Sequence, residues 1–79
     1  MNTFTPPPGV PSILTIKAAA AVLNFPNERV LRDWCRDGDI RAFRHNDGDR
    51  WWIPTAEVER LARLWMVKPD WLAAIEVDA

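Results

Sequence analysis

The sequence predicts a small, mainly α-helical domain that contains one β-hairpin. Apolar residues recur at helical spacing in three segments, and a turn-rich stretch containing Asp-Gly separates two short β-prone segments. In addition, 48% of the 79 residues are hydrophobic and five are tryptophan, which is enough apolar content for one core. We therefore expect the order helix, helix, strand, strand, helix, followed by a short C-terminal helix.

Composition restricts the kinds of protein that the chain can be. No apolar run approaches the ~20 residues of a membrane span, and one cysteine cannot form an internal disulfide, which favours a cytoplasmic location. The formal net charge is only −1, but six of the eight arginines lie between positions 29 and 50. Four prolines and a glycine in residues 1–12 predict a flexible arm, which leaves residues 13–79 as the folded domain.

The first helix is predicted over residues 16–23, with Thr15 as its N-cap. Its buried stripe consists of apolar residues at helical spacing, namely Ile16, Ala19, Ala20 and Leu23. Asn24 tolerates the left-handed conformation that ends a helix, and Pro26 prevents the helix from continuing. Phe25 lies in the resulting turn and is expected to insert into the core.

The second helix is predicted over residues 28–37, between an N-cap at Asn27 and a C-cap at Gly38. One face is apolar and is expected to point inward: Leu31, Trp34 and Cys35. Another face carries a stripe of arginines two turns long: Arg29, Arg32 and Arg36. The stripe is either a surface for an anionic partner or a solvated face that pairs with Asp33 and Asp37.

A hairpin is predicted from the strands Ile40–Arg44 and Arg50–Ile53, joined by the turn-forming residues 45–49. Alternation places Trp51 and Ile53 on the inner face, and leaves Trp52 exposed or covered by another segment. The hairpin carries three arginines: Arg41, Arg44 and Arg50. His45 is expected to be a turn residue, because a metal site would need more ligands at defined spacing.

A third helix begins at Thr55 and ends before Lys68-Pro69, with Glu57 in its first turn. Its buried face consists of Val58, Leu61, Ala62 and Trp65. A last short turn carries Trp71, Leu72 and Ile75, and it either closes the core or makes a dimer contact. Two helices, a hairpin and a third helix in this order are typical of a winged helix-turn-helix, in which the hairpin is the wing.

The segments LTIKAAAAVL, RVLRDWCRDGDIRAFR and DRWWIP resemble the small winged-helix proteins of the MerR-like and phage excisionase group. The resemblance covers roughly residues 14–65, and the spacing of the motifs carries it rather than any one residue. Arg32 and Arg36 fall on polar positions that commonly meet DNA in that group, and Trp51 to Pro54 fall on its second wing strand. The resemblance implies that the second helix enters a major groove while the wing lies along the backbone or minor groove.

The function implied by the resemblance is binding of double-stranded DNA, as an excisionase-like architectural factor or a small transcriptional regulator of a phage or mobile element. Contacts from the recognition helix are expected at Asn27, Glu28, Arg29, Arg32 and Arg36, and backbone contacts from the wing at Arg41, Arg44 and Arg50. Further expected partners are other copies of the chain on DNA and an integrase or other phage protein, but no membrane. No catalytic constellation is visible, so we expect neither enzyme activity nor a cofactor.

Two alternatives stay open. The domain can be the DNA-recognition part of a small terminase subunit, since such subunits can share this winged helix. It can also be a winged helix that binds protein only, an alternative favoured by the net charge, by Asp33 beside the arginine stripe and by Trp52 in the wing. Trp52 and Trp71 are the candidate protein contacts in that case. Cys35 lies on the apolar stripe and is expected to be a small buried hydrophobic residue.

Overall fold

A computed structural model describes residues 4–44 and 50–77 of the chain. Within them the elements follow the predicted order, with one additional strand at the beginning. The described elements are β1 (Ile13–Thr15), α1 (Ile16–Val22), α2 (Glu28–Asp37), β2 (Phe43–Arg44), β3 (Trp51–Pro54), α3 (Thr55–Leu64) and α4 (Trp71–Val77). This is the predicted winged helix-turn-helix arrangement. Among residues 4–44 and 50–77, none of the helices has the length and apolar character of a membrane span.

The helix-turn-helix has the caps that the sequence predicts. The side chain of Thr15 accepts a hydrogen bond from the backbone N–H of Ala18, and that of Asn27 accepts one from Val30. Asn24 has φ 52° and Gly38 has φ 88°, so both adopt the left-handed conformation that ends a helix. These local interactions fix the turn between α1 and α2 and the end of α2.

The sheet has three antiparallel strands in the order β1-β3-β2, so the wing is anchored by a strand that the sequence did not reveal. In this sheet Leu14 stands opposite Ile53, and both side chains are fully buried. The sequence pattern predicts no element for residues 13 and 14, and the structure places them in this strand. Thr15 combines two roles, because it ends β1 and caps α1.

The first strand of the wing is shorter than predicted, since β2 covers only residues 43–44 of the expected 40–44. The backbone N–H groups of Asp39 and Ile40 donate to the carbonyl oxygen of Trp34, at 2.9 and 3.4 Å. The N–H of Arg41 donates to the carboxylate of Glu57 instead of a neighbouring strand. These donors are occupied elsewhere, so the ladder to β3 begins only at Phe43, which pairs with Trp52. The predicted turn residues 45–49, including His45, lie outside the described residues.

The core lies between α1, α2, α3 and the inner face of the sheet. Fully buried side chains from each of these elements meet there, including those of Val22, Leu31 and Val58. Three rings close one side of it: Phe25 from the turn, Trp34 from α2 and Trp65 from the end of α3 have centroids 5.5–5.6 Å apart. Phe25 thus packs against the core as predicted.

The C-terminal helix closes the core from the side of α1. Ala74 is fully buried, and the buried alanines of α1 leave room for α4 to approach closely. The residues before β1 pack here as well, because Phe4 lies 5.3 Å from Trp71 between ring centroids and Val10 packs against the core. Of the two interpretations of the C-terminal tail, the structure therefore supports core closure. Two of the apolar residues expected to carry it are exposed instead: Leu72 and Ile75. The flexibility of the arm in solution stays a prediction.

Candidate nucleic-acid interface

One face of helix α2 is packed against the core, and the opposite face is exposed. Leu31 and Cys35 are buried against the core, and Trp34 packs beside them. The opposite side and the N-terminal end of the helix carry the five predicted recognition residues, all of which are exposed: Asn27, Glu28, Arg29, Arg32 and Arg36. The amphipathic pattern therefore places these polar side chains together on one accessible surface.

The structure supports the solvated-face interpretation for one end of the arginine stripe of α2, and the interpretation as a surface for an anionic partner stays a prediction. Arg36 donates to Asp33 at 2.7 Å in an exposed pair one helical turn apart, so this end of the stripe is a paired, solvated face. For Arg29 and Arg32, no ion pair occurs within the described part of the chain. The positive charge available to an anionic partner is accordingly concentrated in the first half of α2.

The three predicted wing arginines, Arg41, Arg44 and Arg50, are all exposed. Two of them lie over tryptophan rings: the guanidinium of Arg44 is 5.2 Å from the centre of the Trp51 ring, and that of Arg50 is 5.8 Å from the Trp52 ring. Such cation–π contacts restrict the arginine side chains. The wing thus presents partly ordered cations.

The two candidate protein contacts have different surroundings. Trp52 is half-buried on the outer face of the sheet, and its cross-strand neighbour Phe43 is 44% exposed there. Trp71 is also half-buried, because Phe4 packs on it and its other side meets the core. The more exposed of the two aromatic surfaces is therefore that of the wing, and its contact with a protein stays a prediction.

Glu57 is a further residue of this region, whose role the sequence did not indicate beyond its place in the first turn of α3. Its side chain is only 7% exposed, and it lies on a groove of about 710 Å³ between the end of α2, the wing and α3. It accepts hydrogen bonds from the backbone of Arg41 at 3.0 Å and from Arg60 at 2.6 and 2.8 Å. The Arg60 guanidinium holds the pKa of Glu57 below its ordinary value, against the opposite effect of burial, so the carboxylate is ionised. Only the spacing of Glu57 and Arg60, three residues apart on one helix, could have signalled the pair.

Cys35 is buried as predicted. Burial raises the pKa of its thiol to about 11, and the negative charge of Glu57 acts in the same direction. At neutral pH the thiol is therefore protonated and packs as a small apolar side chain.

Comparison with protein families relates this geometry to a known domain. Residues 13–63, which run from β1 into the last turn of α3, match the family described as "Helix-turn-helix domain". Neither a curated protein nor a solved structure matches the chain. The matched segment is well over half of the chain and contains the capped helix pair and the wing. A helix-turn-helix domain supports DNA binding in general, and this chain belongs to the helix-turn-helix domain family.

Proposed function

We propose that the protein binds double-stranded DNA by inserting α2 into a major groove while the wing contacts the backbone. The observation that carries this proposal is the exposed arginine face of α2, on a helix whose other face is fixed by Leu31 and Cys35. A rigid helix with a basic outer face is what a major groove of about 12 Å width accepts.

The dimensions of α2 support this placement. Its ten residues span about 15 Å, and the stripe from Arg29 to Arg36 covers about 10 Å of that length. Arg29 and Arg32 lie nearest the N-terminal end, where the helix dipole adds positive potential. Arginine there can read guanine by a bidentate hydrogen bond to O6 and N7, and Asn27 and Glu28 at the same end are further proposed contacts.

The wing is proposed to contribute affinity rather than sequence preference. Arg41, Arg44 and Arg50 would bind phosphates, which are the same at every base pair. One module of this size contacts few base pairs, and the chain carries a formal net charge of −1. We therefore propose that several copies bind cooperatively to adjacent half-sites, without catalysis or a cofactor and in the cytoplasm.

Among DNA-binding roles, we favour an excisionase-like architectural factor or a small transcriptional regulator of a phage or mobile element. The resemblance of residues 14–65 to the MerR-like and excisionase group supports this choice, with an integrase or another phage protein as the proposed partner. DNA recognition within a small terminase subunit is the alternative role for the same α2 surface.

A protein-only function is the second candidate, favoured by the aromatic outer face of the wing. Phe43 and Trp52 are cross-strand neighbours there, and a protein partner could cover both rings. Salt dependence separates this candidate from DNA binding. Contact with Z phosphates gives a log–log slope of affinity against salt near −0.9Z, whereas an apolar surface gives a shallow one.

The experiment is the selection of bound duplexes from a random-sequence pool, followed by affinity measurements at about 50 and 200 mM salt. We expect an enriched motif and a steep slope. Arg32→Ala should cost roughly 1–3 kcal/mol and relax the preference at one base pair. The matched control is Lys68→Ala, which removes one positive charge at an exposed position between α3 and α4. Absence of an enriched motif, with weak binding at both salt concentrations, would overturn the proposal.

A further inference from the structure

We propose that Glu57 is a positioning residue for DNA binding, which fixes the base of the wing against the end of the recognition helix by holding the backbone of Arg41. This inference deepens the proposed DNA-binding function and rests on it. Glu57 itself is 7% exposed and would not touch DNA.

The first argument is the path of the chain between α2 and β2. The backbone N–H of Gly38 donates to Cys35, and those of Asp39 and Ile40 donate to Trp34, so this connection is tied to α2 itself. The next donor, the N–H of Arg41, is held by Glu57 of α3, which is sixteen positions further along the chain. At residue 41, therefore, the hydrogen-bond partner of the connection changes from α2 to α3.

The second argument is the weakness of the other anchors of β2. This strand has only two residues, Phe43 and Arg44, and pairs with β3 on one side. A strand of this length forms few ladder hydrogen bonds, so a charged hydrogen bond at its base has a large share in fixing its direction. Arg41 and Arg44 are exposed residues of this strand and its base, and the positions of their side chains follow from that direction.

The third argument is that the Glu57 carboxylate, the anchor of the Arg41 backbone, is itself held in place. Nε of Arg60 donates to one carboxylate oxygen of Glu57, and Nη2 donates to the oxygen that also accepts from Arg41. This bidentate contact restricts the carboxylate to one orientation. It also commits the charge of Arg60, so that Arg60 is a support for the anchor and not a further cation of the DNA surface.

The consequence for binding is specific. If the hydrogen bond between Glu57 and the Arg41 backbone is lost, α2 keeps its buried face and its base contacts, whereas Arg41 and Arg44 are no longer held at the phosphates. Loss of these two contacts would lower the magnitude of the salt slope by up to about 1.8, since each contact accounts for about 0.9. The preferred DNA sequence would not change.

The experiment compares the full chain with Glu57→Ala, Glu57→Gln and a matched control, Glu59→Gln. Glu59 also lies on α3 and also pairs with an arginine, Arg63 at 3.0 Å, so the control removes the same charge without touching the wing. The readouts are the salt slope on the selected duplex, hydroxyl-radical protection of the DNA, and hydrogen exchange of the Arg41 amide.

We expect Glu57→Ala to keep the selected motif, to lose slope and protection at the wing, and to exchange the Arg41 amide faster. Glu57→Gln keeps an oxygen acceptor for that amide and should recover most of the slope, while Glu59→Gln should equal the unmodified chain. A Glu57→Ala protein that binds with unchanged slope and protection would overturn the inference while leaving DNA binding intact.

Two further results keep the test decisive. If the unmodified chain shows neither a motif nor a slope, the proposed function fails, and this inference about DNA fails with it. If Glu57→Ala does not fold, the unmodified chain carries the test, because the Arg41 amide resonance should shift as the Glu57 carboxyl group is protonated. An Arg41 amide that does not follow this titration overturns the inference.

Discussion

Asp33→Asn is expected to increase DNA affinity, because Asp33 holds the one arginine of the α2 stripe that is paired within the described structure. Arg36 donates to Asp33 at 2.7 Å, and the two side chains are 67% and 44% exposed. An exposed pair on a helix is worth only about 0.3–0.5 kcal/mol, so its loss should hardly change the free energy of unfolding. The substitution therefore isolates an effect on binding.

The size of this effect follows from counterion release. If Arg36 gains one phosphate, the magnitude of the salt slope increases by about 0.9. Relative to 1 M salt, such a contact strengthens binding roughly five-fold at about 0.15 M salt, which corresponds to about 1 kcal/mol. Removal of the negative charge of Asp33 from the surface facing DNA acts in the same direction.

The assay is a titration of the selected duplex by fluorescence anisotropy at several salt concentrations, with Glu59→Gln as the control. That control removes an equal charge from an ion pair on α3. Equal gains from both variants would show a general effect of net charge rather than of the stripe. Unchanged or weaker binding by Asp33→Asn would refute the reasoning, and a changed base preference would mean that Asp33 itself contacts a base.

Three further expectations concern the scaffold. Leu31→Ala should lower the free energy of unfolding by about 2–5 kcal/mol in urea titrations, because the side chain is fully buried; a loss below about 1 kcal/mol would contradict this packing. Gly38→Ala should lower the free energy of unfolding by about 1–2 kcal/mol, because φ is 88° and an added Cβ meets no atom within 4 Å, so the loss is conformational. Gly38→Asn should lower it less, because asparagine tolerates the left-handed conformation, and equal losses from both variants would contradict a purely conformational cause. Folding lowers the pKa of Glu57 from its ordinary value of 4.5, so the ionised carboxylate stabilises the folded state. This stabilisation is complete above pH 4.5 and is lost as the pH falls through the lower pKa of the folded state. Urea midpoints of Glu57→Gln should accordingly approach those of the unmodified chain in acid, and a constant difference at every pH would contradict the ion pair.

Local signals in the sequence predicted most of the fold, because they act within a few residues. The caps at Thr15 and Asn27 and the left-handed residues Asn24 and Gly38 each satisfy the backbone of an adjacent helix turn. The exposed positions on α2 followed from helical periodicity alone. Their role in DNA binding stays a prediction.

The features that sequence reasoning missed depend on contacts between distant parts of the chain. Residues 13–15 form a strand only because β3, about forty positions later, offers a free edge to them. The shortened β2 and the buried Glu57 share one contact, the hydrogen bond from the Arg41 backbone to α3. No periodicity within a single segment records such a bond, since donor and acceptor belong to different elements.

The burial of Cys35 gives this domain a built-in reporter of local opening. The only sulfhydryl group of the chain lies on the buried face of α2, and burial raises its pKa to about 11. A thiol reagent added at neutral pH can attack only molecules in which α2 has separated from the core, so the labelling rate measures how often that separation occurs. DNA bound to the exposed face of α2 should slow this labelling. The labelling rate of Cys35, on the buried face, would then report whether the opposite face of the helix is occupied.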